Sequence, residues 1–439
     1  MNQSFFSDKR VVFITLGCKL NFSETSTIVK RLYDAGVQPV KKGEKADICI
    51  INTCAVTEVA EKKSRQAINK IIRQNPNACV VVMGCYGQIS ADHLLLIPGV
   101  DIVIGQDEKD QVLELICEQM KNGNVATQAV SKNIEKFIPS CSKGDRTRFF
   151  LKVQDGCDYF CSYCIIPYTR GRSRNGKIED IIKQAKEAGE RNGQEIVLTG
   201  VNIGDFGKSS GEHFINLIQE LDKIETISRY RISSIEPNLL TDEIIEFVAG
   251  SQKFMPHFHI PLQSGSDKVL ELMHRRYDRS LFVEKIMKIK SEMPQAFIGV
   301  DVIVGMRGES DELFEDSYSF LESLDISKLH VFSYSERPGT LALKIPNPVS
   351  FKDKSIRSHR LIELSEKKLE AFYSAAIGKK ADVLVERSLR RTPSHGFTDN
   401  YIKVELDNIC GNTFENKIIK VRLEGFNSKK DALKATMVD

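Results

Sequence analysis

The sequence predicts an α/β protein built from three parts: an N-terminal parallel sheet covered by helices, a central open (β/α)6 barrel and a small C-terminal β-barrel. Short apolar strands alternate with helical patterns up to residue 125, and the same alternation returns in six units after residue 147. Period-two alternation replaces it near the end of the chain. We therefore place domains at residues 1–125, 147–375 and 376–439, joined by an aperiodic linker at 126–146.

Length and composition are those of a large folded protein. The 439 residues are 41% apolar and 28% charged, which excludes disorder over most of the chain. The balance of 62 basic and 59 acidic side chains excludes a polybasic tail but permits a local basic face. No apolar run approaches the roughly 18 residues of a membrane span or signal anchor, so we expect no membrane contact and a cytoplasmic location.

The N-terminal domain predicts a site at one edge of its sheet. We predict its strands at residues 11–16, 46–52, 79–84 and 100–104. Ligands collect beyond the carboxyl ends of parallel strands, and Cys18, Cys54 and Cys85 each follow such an end. We expect these three thiols to converge on a second iron-sulfur cluster. The alternative is that they are small buried hydrophobic residues, as free cysteines usually are.

The remaining cysteines of the predicted α/β and tail domains lack this setting. Cys49 and Cys79 lie within or at the start of apolar runs, while Cys117, Cys141 and Cys410 do not follow strand ends. We predict that all five are structural. Eleven cysteines in a cytoplasmic chain favour metal binding over disulfides, because the cytosol keeps thiols reduced.

A second cysteine triplet opens the central domain. Cys157, Cys161 and Cys164 follow the first strand of this domain in a short loop. An iron-sulfur cluster normally takes four thiolates, so three clustered thiolates without a fourth leave one iron open to a ligand. The alternative is a zinc knuckle completed by a distant residue, since the next histidine is His213.

Six βα units in the central domain are too few for a closed eight-stranded barrel, so we predict an open barrel with its active face at the carboxyl ends of the strands. The predicted strands are residues 149–154, 195–200, 229–235, 257–262, 297–304 and 328–334. Polar residues and glycines recur at those ends, where they favour a cofactor site over ordinary turns and caps. The predicted cofactor-binding residues are Tyr163, Gly200, Asn202, Ser234, Glu236, Gln263 and Val304.

Arginines follow the second cysteine triplet. Arg170, Arg172 and Arg174 are separated by single residues, and their guanidinium groups suit contacts with phosphate. Arg275 and Arg276 form a weaker candidate of the same kind. We predict that Arg170 and Arg172 bind substrate, against the alternative of merely solvated charges.

The tail domain predicts an oligonucleotide-binding barrel. A long helical pattern over residues 350–376 leads to short alternating strands at 381–387, 401–406 and 417–423. Alternating basic residues of this domain either contact RNA phosphates or are ordinary outward-facing positions.

All three parts, in this order, resemble the radical S-adenosylmethionine (SAM) methylthiotransferases over essentially the whole chain. The motifs that carry the resemblance are Leu16-Gly17-Cys18-Lys19, Asn52-Thr53-Cys54, Gly84-Cys85-Tyr86 and the loop with Cys157, Cys161 and Cys164. Three motifs resemble the branch that modifies N6-threonylcarbamoyladenosine in tRNA. They are Asp155-Gly156-Cys157, His259-Ile260-Pro261-Leu262-Gln263-Ser264-Gly265-Ser266 and Arg275-Arg276-Tyr277.

The resemblance implies transfer of a methylthio group to carbon 2 of adenosine 37, beside the anticodon, using two SAM molecules and two four-iron four-sulfur (4Fe-4S) clusters. It implies that the Cys157, Cys161 and Cys164 cluster cleaves SAM. The Cys18, Cys54 and Cys85 cluster would hold the sulfur, and the tail would be an RNA-binding TRAM domain. Radical chemistry suits this carbon, whose hydrogen is not acidic.

The implied partners are the tRNA anticodon loop and a reductant such as flavodoxin or ferredoxin, and we expect a monomer. Alternative substrates are isopentenyladenosine in tRNA and an aspartate of a ribosomal protein. Alternatives of another class are a non-catalytic iron-sulfur protein or a zinc protein that binds RNA. One stretch departs from the family, which usually has Phe-Pro where this chain has Met306-Arg307. We expect that departure to affect the conformation of the loop.

Overall fold

The computed structural model describes residues 3–41, 43–123, 126–142, 147–387, 394–406 and 413–438. Within those ranges the chain has the predicted α/β architecture, with two parallel sheet domains and a terminal β-barrel. Cys410 lies outside the described residues, so the prediction about it is not addressed. Among the helices that the structure describes, none combines the length and the apolar character needed to cross a membrane.

The N-terminal domain is a six-stranded parallel sheet in the order β2-β1-β3-β4-β5-β6. Strands β3 and β4 are buried along their whole length, because helices cover both faces of the sheet. The elements are α1 (Gln3–Phe6), β1 (Arg10–Thr15), α2 (Lys19–Asp34), β2 (Gln38–Pro39), β3 (Ile48–Thr53), α3 (Glu58–Gln74), β4 (Cys79–Gly84), α4 (Cys85–Ile89), α5 (Ala91–Leu95), β5 (Ile102–Ile104), α6 (Val112–Asn122) and β6 (Thr127–Ala129).

The stretch predicted as a linker takes part in both neighbouring sheets. Strand β6 pairs in parallel with β5, so the first sheet extends to residue 129. Further on, Ser142 N donates to Phe150 O at 3.0 Å, and Lys152 N donates to Ser140 O at 2.9 Å. The linker therefore runs antiparallel beside the first barrel strand. Edge pairing of this kind needs only backbone groups, so apolar periodicity does not reveal it.

The central domain is the predicted open six-stranded barrel. Its strands form two parallel triplets, β7-β10-β11 and β12-β13-β14. The triplets meet where Ile235 N donates to His259 O at 3.0 Å. The elements are β7 (Arg148–Lys152), β8 (Gln154–Asp155), α7 (Ile166–Arg170), β9 (Arg174–Asn175), α8 (Ile178–Glu190), β10 (Glu195–Thr199), α9 (Phe214–Asp222), β11 (Arg229–Ile232), α10 (Asp242–Gly250), β12 (His257–Gln263), α11 (Asp267–Leu272), α12 (Arg279–Glu292), β13 (Phe297–Val304), α13 (Asp311–Ser323), β14 (Lys328–Ser333) and α14 (Phe351–Ser374).

One helical pattern of the central domain is interrupted. The single helix predicted over residues 267–290 is two helices, α11 and α12, because His274 adopts a φ of 56° and ends the first. Asp278 then caps the second helix, accepting the Leu281 N–H at 2.9 Å. The interruption brings Arg275 to the active face of the barrel, where it contacts the cysteine loop.

The tail is a closed five-stranded barrel in the order β15-β16-β17-β19-β18. Its strands are β15 (Lys380–Val385), β16 (Ser394–Thr398), β17 (Lys403–Leu406), β18 (Ile418–Phe426) and β19 (Leu433–Met437), of which β16 and β19 were not predicted. The barrel docks where the strands of the central domain begin. Arg229 donates to the carbonyl of Asp382 at 2.9 Å, and Arg231 donates to those of Thr398 and Asp399 at 2.8 and 2.7 Å.

Candidate metal centre and cofactor site

The second cysteine triplet lies in one tight loop at the carboxyl end of the first barrel strand, between β8 and α7. Phe160 adopts a φ of 50°, which lets the chain turn so that Cys164 N donates to Cys161 O at 3.0 Å. Cys157 is fixed by its own N–H, which donates to Gly171 O at 3.1 Å. The loop holds the three thiols side by side.

Each sulfur of this loop accepts a hydrogen bond from an N–H group. The three pairs are Tyr159 N to Cys157 Sγ at 3.4 Å, Ile166 N to Cys164 Sγ at 3.4 Å, and Arg275 Nη1 to Cys161 Sγ at 3.0 Å. Donors of this kind stabilise anionic sulfur, and in iron-sulfur proteins they help to set the reduction potential. The donor set therefore suits thiolates that ligate iron.

Burial opposes ionisation of these thiols when no metal is bound. It raises the pKa of Cys157 and of Cys164 to about 12, and the neighbouring Cys161 adds to both shifts. A bound metal ion reverses this balance, because its positive charge deprotonates a ligating thiol. The raised pKa values fit a site built for metal and argue against a free nucleophilic cysteine.

The first cysteine triplet converges from three neighbouring strands. Cys18 follows β1, Cys54 follows β3 and Cys85 follows β4. Burial raises the pKa of Cys54 to about 11, and the nearby Cys85 and Cys18 thiols add to that shift. Gly17, at φ 99°, makes the approach possible, because a Cβ there would lie 2.9 Å from the Cys54 Cβ.

Ligand spacing in the two triplets differs from that of a preformed single-ion site. A tetrahedral zinc ion holds thiolates about 2.3 Å from the metal, which keeps them close to one another. In the described part of the chain, one group of three His, Cys, Asp or Glu residues has ligand atoms within 4.8 Å of one another, and it contains no cysteine. Neither triplet therefore forms a preformed zinc knuckle among the described residues.

Unpaired buried polar atoms line the active face of the barrel. Both amide atoms of Asn202 are buried without a hydrogen-bond partner among the described residues, and the same holds for the hydroxyls of Ser233 and Ser266. The Asn202 backbone N–H donates to Gln154 Oε1 at 2.9 Å, which fixes its position. Unpaired buried polar groups are costly, so these three side chains indicate a ligand site.

Ser233 and Ser266 were not among the predicted cofactor residues, although both follow strand ends. The predicted residue was Ser234, which is half-buried and pairs with His259 at the junction of the two strand triplets. Successive residues of an extended segment point to opposite faces, so a one-residue choice decides which serine faces the site. Ser233 could have been predicted only if the lumen-facing side of β11 had been known.

Three other predicted cofactor residues lie in a turn, at a shift in strand register and in the barrel core. Gly200 packs on its own turn, since a Cβ would lie 2.5 Å from Ile203 Cγ2. Gln263 has a φ of 71° where the register of β12 shifts. Val304 is 1% exposed within the barrel core, so the structure does not support ligand contact through its side chain.

Glu236 and Tyr163 flank the cysteine loop. Glu236 forms an ion pair with Arg275, the same arginine that donates to Cys161. Burial raises the pKa of Glu236, and Arg275 opposes that shift. Tyr163 packs against a small buried apolar cluster that includes Met273. The Glu236–Arg275 pair therefore connects the segment that follows β11 to the cysteine loop.

Arg170, predicted to bind substrate, is buried and paired within the protein. Its side chain is 1% exposed and donates to Asp155 Oδ1 at 2.9 Å, Glu24 Oε1 at 3.2 Å and Asn21 Oδ1 at 2.6 Å. These partners neutralise the guanidinium and leave no open surface. Arg172, whose side chain is 72% exposed, remains available for substrate.

The buried arginine belongs to an ionic network between two domains. Glu24 also pairs with Lys109 at 2.5 Å and with Lys152 at 3.1 Å, and Asp155 pairs with Lys152 at 2.5 Å. Burial opposes ionisation of Glu24, but Arg170 and the two lysines outweigh it and hold the pKa well below the ordinary value. The network places the first cysteine triplet in a fixed position against the second.

The group of three side chains whose ligand atoms lie within 4.8 Å of one another is in the barrel lumen. Its members are His259, Asp301 and His330, from three adjacent strands. His259 Nε2 and Asp301 Oδ1 share a 2.6 Å hydrogen bond, and the two imidazole rings are 5.0 Å apart. Burial and the neighbouring His259 lower the pKa of His330 to about 4. His259 belongs to one of the family motifs, but no role was predicted for it from the sequence.

The loop that departs from the family pattern packs beside the cysteine loop. Met306 is fully buried in the apolar cluster beside Tyr163. Glu309 accepts the backbone N–H groups of Gly305 and Met306 at 2.7 and 3.2 Å, and Arg307 pairs with Glu336 at 3.0 Å. Met306 and Arg307 thus each have a structural place in this loop.

Two segments match known protein families. Residues 10–105 match the uncharacterized protein family UPF0004, and residues 151–321 match the radical SAM superfamily. These segments contain the first and the second cysteine triplet, respectively.

Similar proteins of known name span nearly the whole chain. The threonylcarbamoyladenosine tRNA methylthiotransferase MtaB of Bacillus subtilis is 39% identical and covers 93% of this chain and 94% of its own length. The MtaB of Aquifex aeolicus is 36% identical, with coverage of 90% and 96%. A tRNA-2-methylthio-N(6)-dimethylallyladenosine synthase of Clostridium perfringens is 33% identical, with coverage of 86% and 87%.

Solved structures share the fold at low sequence identity. TsrM of Kitasatospora setae, a radical SAM methyltransferase solved with cobalamin and a 4Fe-4S cluster, has a TM-score of 0.54 and 13% identity, with coverage of 74% of this chain and 75% of its own. The cobalamin-dependent SAM radical enzyme OxsB has a TM-score of 0.51 and 12% identity, with coverage of 83% and 57%. At such identities the likeness concerns the fold alone.

Proposed function

The chain belongs to the tRNA methylthiotransferase family, and from that membership we propose that it transfers a methylthio group to carbon 2 of N6-threonylcarbamoyladenosine at position 37 of tRNA. The observation that carries the proposal is the pair of cysteine triplets, each at the strand ends of its own parallel sheet. The identities of 39% and 36% to enzymes named for threonylcarbamoyladenosine favour that substrate.

The residues of the site fit the cofactors that the family uses. Cys157, Cys161 and Cys164 would hold one 4Fe-4S cluster, and the Cys18, Cys54 and Cys85 triplet would hold the other. The fit rests on the N–H donors at all three sulfurs of the central loop and on the position of both triplets at strand ends. When bound, the clusters and SAM supply the radical chemistry that an unactivated C–H bond requires.

The chain's own polar groups would bind and orient SAM. The unpaired side chains of Asn202, Ser233 and Ser266 would satisfy polar atoms of this ligand, which repays their burial. Arg275 connects the carboxyl-end face of the barrel to the cysteine loop through its contacts with Glu236 and Cys161. The SAM-binding side chains and the cysteines would thereby keep a fixed orientation relative to each other.

The surface beside the cysteine loop and the tail barrel would bind the anticodon loop. Arg172 is exposed and lies 4.4 Å from the Phe160 ring, so its guanidinium can reach a phosphate while its stem is ordered by the ring. The TRAM-like fold of residues 376–439 supports an RNA-binding role.

Further parts of the proposal concern partners and organisation. The domains would be residues 1–125, 147–375 and 376–439, with the linker 126–146 contributing edge strands. A tRNA substrate accords with a cytoplasmic location. The electron would come from a reductant such as flavodoxin or ferredoxin, and the protein would act as a monomer.

The test uses anaerobically purified, reconstituted protein and an anticodon-loop RNA carrying threonylcarbamoyladenosine. We expect iron and sulfide near eight each per chain, about four per cluster, and formation of the 2-methylthio nucleoside in digests analysed by mass spectrometry. A protein with the first triplet changed to alanine should still release 5′-deoxyadenosine from SAM but form no methylthio product. Product only on isopentenyladenosine RNA would contradict the substrate assignment.

A further inference from the structure

We propose that Lys19 and the lumen histidines form the subsite that reads the carboxylate-bearing substituent on N6 of the target adenosine. The inference rests on the proposed function and specifies how the substrate would be recognised. Its basis is a cavity of about 1060 Å³ that Lys19, His259 and His330 line together.

This cavity joins all three domains. Lys19 reaches it from the N-terminal domain, and the two histidines reach it from the barrel strands. Lys403 and Lys430 border it from the tail barrel. Lys19 directly follows Cys18, so a group bound at its ammonium lies beside the first cysteine triplet. A nucleotide of an RNA held by the tail barrel could therefore extend toward the site where sulfur would be added.

Lys19 is a cation with spare charge in this region. Its side chain is exposed to the cavity and forms no hydrogen bond or ion pair with any residue that the structure describes. Three other cations around the lumen are already paired, namely Arg148 with Glu386 at 2.7 Å, Arg231 with Glu195 at 2.8 Å and Lys403 with Asp431 at 2.5 Å. Lys328 and Lys429 also line the cavity without an ion pair among the described residues, but only Lys19 adjoins a cysteine of the first triplet. An anionic ligand would give Lys19 the partner that it lacks.

The histidines suit the neutral part of the same substituent. Asp301 accepts the His259 Nε2 proton at 2.6 Å, which fixes the ring and leaves Nδ1 as an acceptor. Because His259 and Asp301 already satisfy each other through that bond, we assign the group to substrate binding. An acceptor at His259 matches the N–H and O–H groups of a threonylcarbamoyl substituent.

Charge would then separate the two known substrate types of this family. The threonylcarbamoyl group ends in a carboxylate, whereas the isopentenyl group is an uncharged hydrocarbon. A cation in the cavity binds the carboxylate but finds no partner in the hydrocarbon. Lys19 is therefore proposed as a specificity-determining residue.

The test removes the charge first from the threonine carboxylate of the RNA and then from Lys19. Two anticodon-loop RNAs are compared, one with threonylcarbamoyladenosine and one with its threonine carboxyl converted to the uncharged amide. Reconstituted wild type should bind the acid at least about tenfold more tightly than the amide, the effect of one charged hydrogen bond. In Lys19→Gln the ratio of the two dissociation constants should fall to about one, and in Lys19→Arg it should persist. Lys430→Gln, at the tail side of the cavity, should weaken both RNAs alike and keep the wild-type ratio.

Equal binding of both RNAs by wild type would overturn the proposal, as would a preference that survives in Lys19→Gln. The ratio is taken within one preparation, so partial loss of a cluster or of folded protein cancels. If Lys19→Gln cannot be purified, the wild-type ratio and its persistence in Lys19→Arg still decide the matter. Formation of methylthio product from the acid RNA by wild type tests the proposed function separately.

Discussion

The Arg170 guanidinium donates a 2.6 Å hydrogen bond to the side-chain oxygen of Asn21, across the boundary between the first sheet and the barrel. Asn21 lies in the first turn of the helix that follows Cys18, and Arg170 ends the helix that follows Cys164. One buried side chain thus connects the two cysteine loops. Their relative position is built into the folded core rather than left to the linker.

Replacement of Arg170 by methionine should destabilise the protein by about 3–5 kcal/mol, because it removes a buried partner of Glu24 and Asp155. Chemical denaturation measures the loss, and iron analysis should show less metal per chain. Arg172→Met is the matched control, since its exposed side chain should change stability by less than about 0.5 kcal/mol. Equal stability of the two variants would contradict the network as the link between the domains.

Replacement of Arg275 by methionine should make the reduction potential of the central cluster more negative. The variant loses the N–H donor at Cys161 Sγ, and such donors stabilise the reduced cluster. Redox titration followed by electron paramagnetic resonance measures the shift. Arg276→Met should leave the potential unchanged, because Arg276 stacks on Tyr159 at 4.2 Å and has no sulfur contact among the described residues.

Replacement of Asn202 by alanine should weaken SAM binding without lowering the stability of the SAM-free protein. Its amide atoms are unpaired, so their removal relieves a burial cost of about 1–3 kcal/mol instead of breaking a bond. Thermal unfolding with and without SAM separates the two effects. Asn238→Ala should behave oppositely, because its amide bonds to the Tyr159 hydroxyl at 2.8 Å. Destabilisation of the SAM-free Asn202 variant would assign that residue a structural role.

His330 should make stability depend on pH. Its folded-state pKa of about 4 lies below the ordinary value of 6.5, so its stabilising contribution is complete above pH 6.5 and decreases as pH falls toward 4. The groups that face it are His259, Asp301, Lys328 and Lys19. His330→Gln should remove on the order of 2 kcal/mol of that decrease. Parallel unfolding curves against pH for wild type and variant would show that His330 does not titrate in this way.

Much of the fold could be predicted because periodicity reports burial. The buried runs of β3 and β4 and the six barrel strands follow from apolar patterns alone. Pairing at edges does not, since β6 needs only backbone partners. The break at His274 was also missed, because one residue with positive φ leaves the helical pattern on either side intact.

Site residues could be predicted where the residue type alone indicates the chemistry. They were missed where the role depends on which way a side chain points. Cysteine spacing indicated the central triplet, and placement after predicted strand ends indicated the first. Arg170 and Arg172 look alike in sequence, yet one is buried between domains and the other is exposed. Sequence spacing also does not show which of Ser233 and Ser234 faces the lumen, or that Lys19 lines the cavity there. Both depend on how the strands and domains pack.

The tail barrel contacts the central domain partly through its main chain, because Arg229 and Arg231 hold carbonyl oxygens of Asp382, Thr398 and Asp399. A carbonyl is present whatever side chain its residue carries, so these contacts tolerate changes of amino acid. Side chains contribute as well, since Arg148 donates to Glu386 at 2.7 Å and to the Tyr401 hydroxyl at 2.9 Å. Positions of the tail that make neither kind of contact could therefore be refashioned for other RNAs without loosening the barrel from the enzyme.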